Sequence, residues 1–121
     1  MHLPRVVAVI DVGSNSVRLL VARELSSSAF EVVDEERFEA RLAQGQEDGM
    51  LSPEGIERGL RALRIVTQVA LSHAPTSVLA VGTEALRRAP NAAAFLQESR
   101  RQTGIPVTVL SSAEESFASF L

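Results

Sequence analysis

Five consecutive apolar residues, Val6-Val7-Ala8-Val9-Ile10, run into Asp11 and then into Gly13-Ser14-Asn15-Ser16. The run is rich in β-branched residues and shows no polar alternation, which predicts a strand covered on both faces and commits the chain to a layered sheet-and-helix fold. Gly13 to Ser16 reads as a tight turn. β-Type residues resume from Val17 to Glu24, so the two runs predict an antiparallel hairpin whose turn lies at one end of the sheet. Phe30 to Phe38 makes a third strand, and the polar, glycine-bearing stretch Gln44 to Gly49 a loop.

Ser52-Pro53 marks a helix start, with the serine as N-cap and proline at the first helical position. Ile56, Leu60, Leu63, Thr67 and Ala70 then fall on one face, and the pairs Glu54/Arg58 and Glu57/Arg61 on the other, four apart in the favourable acid-first order. This helix is expected to end near Ser72. Ser77 to Val81, closing at Gly82, reads as another buried strand, followed by a short helix from Thr83. A further helix, with Asn91 as its expected cap and Phe95 and Leu96 turned inward, stops at Gly104 before Pro106. Val107 to Leu110 is the last strand. Ser111 and Ser112 each precede a glutamate by three residues, a helix-start signature. The element order βββαβαβα is that of an α/β fold with a mixed sheet.

What the chain lacks narrows its chemistry. It has no cysteine, and all 12 basic residues are arginine, so thiolate nucleophiles, Schiff bases and lysine-bearing phosphate loops are excluded within these 121 residues. Only His2 and His73 carry imidazoles, one at the N-terminus and one in an expected loop. A net charge of -3 and the absence of a basic run predict no nucleic-acid or anionic-membrane partner, and the longest apolar run is far too short to span a bilayer. A cytoplasmic location is the expectation.

Asp11 and the turn behind it form the strongest chemical signal. A turn of small residues aims successive backbone amides at one point, and the amides of Gly13 to Ser16, the hydroxyls of Ser14 and Ser16 and the side chain of Asn15 together suit a phosphate. Asp11 would repel that phosphate directly; its use is through a divalent cation such as Mg2+, which takes few carboxylates and the substrate's own oxygens. A plain hairpin turn with an Asx cap is the competing reading of the same segment.

The segment Asp11-Val12-Gly13-Ser14-Asn15-Ser16 resembles the first phosphate motif of the Ppx/GppA phosphatases, members of the actin-like superfamily. Further matches follow in order: Arg41-Leu42-Ala43-Gln44-Gly45, Leu51-Ser52 with Arg58-Gly59-Leu60, Val81-Gly82-Thr83 with Leu86-Arg87, Asn91 with Phe95-Leu96, and Val109-Leu110-Ser111-Ser112-Ala113-Glu114-Glu115. The resemblance implies an actin-like (ribonuclease H-like) half-domain. It also implies an exopolyphosphatase or a guanosine pentaphosphate phosphohydrolase, with polyphosphate or guanosine pentaphosphate as substrate and Glu115 as the general base that activates water. Arg87 corresponds to an arginine that faces the phosphate, while Arg88, four residues after Glu84, is expected in a surface pair. Arg41 is a further candidate for substrate contact. Ser112, Ser116 and Phe117 depart from the family's final motif, which has glycine, alanine and arginine there. Ser112 with Glu115 also reads as a plain capping box, and Ser111 with Glu114 as an alternative one.

The resemblance further implies a second, glycine-rich phosphate loop after the Glu-Glu motif. Residues 1–121 are accordingly expected to be the N-terminal subdomain of a longer phosphohydrolase, truncated before that loop and inactive alone. An apolar face left for the remainder predicts self-association into a homo-oligomer.

Overall fold

The computed structural model describes residues 4–114. Its elements in chain order are β1 (Val6–Val12), β2 (Val17–Ser26), β3 (Ala29–Phe38), α1 (Pro53–Ser72), β4 (Ser77–Gly82), α2 (Glu84–Arg88), α3 (Ala92–Thr103) and β5 (Val107–Val109). The strands form one mixed sheet in the order β3-β2-β1-β4-β5. β1 to β3 make an antiparallel meander, whereas β4 runs parallel to β1 and β5 parallel to β4. Long connections separate the parallel strands, as parallel pairing requires: β2, β3 and α1 lie between β1 and β4, and α2 and α3 between β4 and β5.

One face of the sheet is the core. Ala8, Ile10 and Val12 of β1 and Val17, Leu19 and Val21 of β2 are buried there with Ala80 of β4. Leu60, Leu63, Val66, Thr67 and Ala70 of α1 and Phe95 of α3 join them, and all are buried. Ser52 caps α1 as the sequence predicts: its Oγ accepts the Gly55 amide at 2.9 Å. Gly104 ends α3 in the left-handed region, with φ 76°, where a side chain would be strained.

Four details differ from the sequence-based expectation. β1 is covered on one face only; Val7, Val9 and Asp11 on the other are half-buried, in line with Leu20 and Leu79, which are exposed. An unbroken apolar run therefore marks a central strand here, not a doubly covered one. Asn91 precedes α3 but does not cap it. Its side chain instead accepts from the Leu51 amide at 2.9 Å and donates to the Leu51 carbonyl at 3.0 Å, because satisfying both groups of a buried residue outweighs one helix-end amide. Arg58 does not pair with Glu54; its donors go to backbone carbonyls of the 40–44 loop. The last strand stops at Val109, one residue early.

Candidate functional site

Because β1, β4 and β5 are parallel, their C-terminal ends meet at one edge of the sheet. The Thr83 amide donates to the Val12 carbonyl at 3.2 Å, and the Leu110 amide to the Gly82 carbonyl at 2.9 Å, so three chain reversals lie side by side. In an open α/β sheet such an edge is where ligands gather. Asp11 stands there, between Arg18 of β2 and Val81 of β4 in register.

The turn after Asp11 is fixed from behind. Its Gly13 amide donates to the Ser16 carbonyl at 3.0 Å, closing the hairpin. The carbonyls of Ser14 and Asn15 accept from the amides of Ala43 at 3.0 Å and Arg41 at 2.7 Å. In a planar trans peptide the N–H points opposite to the C=O. Anchoring those two carbonyls on the 41–43 loop therefore turns the amides of Asn15 and Ser16 the other way. The Ser14 side chain is half-buried and Asn15 is exposed. The Ser16 hydroxyl is buried and committed: it donates to Glu39 Oε1 at 3.2 Å and accepts from Arg37 Nε at 3.1 Å. What Ser16 offers a ligand is its amide.

Arg41 adopts φ 50°, in the left-handed region. That conformation lets its amide reach Asn15 while its carbonyl accepts from Arg58 and from the Gln44 amide. Arg87, on α2, is half-buried and donates from Nη1 to the Leu110 carbonyl at 3.0 Å, where β5 hands over to the final motif. Arg88 pairs with Glu84 at 3.1 Å on the surface, as expected from their spacing.

Of the two possible capping boxes, Ser111 and Glu114 form one. The Glu114 amide donates to Ser111 Oγ at 3.1 Å and the Ser111 amide to Glu114 Oε1 at 2.9 Å. The Ser111 amide, then its hydroxyl, holds the Glu114 carboxyl below its ordinary 4.5. The Ser112–Glu115 alternative is not needed to start this turn; Glu115 itself lies outside the described residues. No three His, Asp or Glu side chains cluster as a metal cage among the described residues. Asp11 is a carboxylate at the strand end, the kind of oxygen ligand that magnesium takes together with phosphate oxygens.

Sequence reasoning missed the anchoring role of Arg58. Its signal was Gly55 and Gly59, four apart on α1: two glycines weaken a helix, and here each makes room for Leu42, Gly55 for its carbonyl and Gly59 for its side chain. A Cβ on Gly55 would sit 2.5 Å from the Leu42 carbonyl oxygen, and one on Gly59 2.9 Å from Leu42 Cδ1.

The family model of the Ppx/GppA phosphatase family matches residues 20–121. The chain belongs to this family. The fold agrees with solved Ppx/GppA structures. The Aquifex aeolicus family member is 32% identical with a TM-score of 0.86 over 93% of this chain and 37% of that one. An exopolyphosphatase from Cytophaga hutchinsonii is 25% identical with a TM-score of 0.85 over 90% of this chain and 35% of that one. An exopolyphosphatase-like protein is 30% identical with a TM-score of 0.86 over 93% of this chain and 34% of that one. The chain thus spans little more than a third of the length of these relatives. The sheet is the mixed α/β half-domain of the actin-like fold that the Ppx/GppA motifs imply. The family is one of phosphatases. No helix among the described residues is long and apolar enough to cross a membrane.

Proposed function

We propose that this chain supplies the phosphate-holding turn of a cytoplasmic phosphohydrolase that releases terminal phosphate from inorganic polyphosphate. The observation that carries this reading is the anchoring of the Ser14 and Asn15 carbonyls, which turns the Asn15 and Ser16 amides outward beside Asp11. Amides fixed in that way need no reorganisation when negative charge arrives, and phosphoryl transfer asks mainly for positioning and charge stabilisation. The Gly13 to Ser16 turn binds the terminal phosphoryl oxygens, with Ser14 and Asn15 side chains within the same turn, and Arg87 adds positive charge from the neighbouring helix. Asp11 would hold a Mg2+ ion, whose contribution when bound is to neutralise phosphate charge. Glu115, in the segment after β5, accepts the proton of the attacking water. The bond from phosphorus to the bridging oxygen breaks as the one to the water oxygen forms.

Guanosine pentaphosphate is the second substrate on this reading, since its 5′ end presents the same terminal phosphoanhydride to the same turn. Titrating the 15N-labelled chain with tripolyphosphate tests the site. The Asn15 and Ser16 amide signals are expected to shift saturably and those of the core not at all. If both stay still, the turn is only a hairpin. In an enzyme containing this segment, Glu115→Gln is expected to lower turnover on the order of a hundredfold with little change in affinity. Near-normal turnover in that variant would remove Glu115 from its assigned role.

A further inference from the structure

The turn is not held by its own sequence. Its two inward carbonyls hang on the amides of Arg41 and Ala43, and the loop carrying those amides has its own carbonyls to satisfy. Arg58 satisfies three of them. Its Nε donates to the Ala40 carbonyl at 3.0 Å, and Nη2 to the carbonyls of Arg41 at 2.8 Å and Gln44 at 3.3 Å. Three carbonyl oxygens gathered around one point repel each other unless a cation with several donors sits among them. A planar guanidinium provides those donors in a fixed fork. The loop is also pressed against α1, where Gly55 leaves room for the Leu42 carbonyl and Ser52 Oγ donates to the Gln44 carbonyl at 3.2 Å.

We propose that Arg58 is a positioning residue that holds the phosphate turn in its binding shape through the 40–44 loop, without touching the ligand. The chain of contacts is short and directional. Arg58 fixes the carbonyls of residues 40, 41 and 44; the loop thereby presents the amides of residues 41 and 43; these fix the Ser14 and Asn15 carbonyls, and the Asn15 and Ser16 amides face outward as a result. Left-handed Arg41 is the link most dependent on this support, since its backbone conformation is strained for any residue with a side chain. The inference rests on the reading of the turn as a phosphate site and extends it to a residue on a different element.

The test uses Arg58→Met and Arg58→Lys in the 15N-labelled chain, with tripolyphosphate as the probe. Arg58→Met removes the donors but keeps the stem. It is expected to weaken binding about tenfold, a loss of the size that one or two displaced amide contacts produce. Arg58→Lys keeps the charge but serves fewer carbonyls at once, so an intermediate affinity is expected. Faster hydrogen exchange at the Arg41 and Ala43 amides should accompany both, with core amides unchanged. Guanidinium ion added to Arg58→Met is expected to restore part of the affinity, which general destabilisation would not allow. A folded Arg58→Met chain with wild-type affinity overturns the proposal. So does a loss that tracks global unfolding and is not rescued. If Arg58→Met does not fold, wild-type affinity in Arg58→Lys overturns it equally. A wild-type chain whose Asn15 and Ser16 amides ignore tripolyphosphate overturns the phosphate reading itself, a separate result, and this proposal falls with it.

Discussion

Single residues here often act through their backbone where the sequence advertises a side chain. Arg41 looks like a substrate-binding cation, yet its amide, carbonyl and left-handed φ already have a structural task. Arg41→Gly separates the two roles. Glycine adopts that φ freely, so stability is expected to change by less than about 1 kcal/mol, and any loss of tripolyphosphate affinity then reports the guanidinium alone. Unchanged affinity would dismiss the side chain from the site. Asn91 illustrates the reverse difficulty. Its place before a helix made it look like a cap, and nothing local reveals that Leu51, forty residues away, needs both a donor and an acceptor. Asn91→Ala is expected to cost about 1–3 kcal/mol in chemical denaturation, because it strands two buried backbone groups, whereas loss of a simple N-cap would cost about 1 kcal/mol.

Helix ends and strand runs were the most legible elements, because capping serines, Pro53 and Gly104 are local chemistry that tertiary contacts did not override. The turn at Ser111 shows how such chemistry resolves an ambiguity. Two overlapping boxes were readable, and the structure uses Ser111 with Glu114. Since that carboxyl is held below its ordinary 4.5, the box contributes fully above that value and is lost as pH falls through the lower folded value. The Ser111 amide signal should therefore titrate with a midpoint under 4.5, and in Glu114→Gln the step should vanish. A midpoint at or above 4.5 would mean that the box does not persist in solution. On α1 the decisive element-scale feature is a close approach. Gly55→Ala would gain about 1 kcal/mol of helix propensity in isolation, but its Cβ would meet the Leu42 carbonyl at 2.5 Å. Overpacking of that kind costs about 1–3 kcal/mol, so net destabilisation and a displaced 40–44 loop are expected.

At the scale of the molecule, the sheet has two unequal faces. Phe95, fully buried under α1, belongs to the covered one, and Phe95→Ala is expected to cost about 3–5 kcal/mol. Leu79 is 52% exposed on the other, so Leu79→Ser is expected to change stability by no more than about 0.5 kcal/mol. Urea unfolding of both variants checks the contrast, and a costly Leu79→Ser would mean that this face is covered in solution. The sequence could not reveal this asymmetry, because Val6 to Ile10 is equally apolar towards both sides. The gathering of the motifs at one edge was only partly legible: β-type runs identify strands, but the parallel direction of β4 and β5 depends on their pairing with β1 and β4, which no local signal gives. That division also orders events in time. β1, β2 and β3 pair through short reversals, whereas Val7 must find Ser77 across most of the chain before β4 can dock. Closing a long loop is slower than closing a hairpin, so the meander carrying the turn should precede its parallel neighbours during folding. The edge where the ends of β1, β4 and β5 meet then exists only once the last-formed pairing is complete, and a nascent chain that has made the Asp11 hairpin has made only half of it.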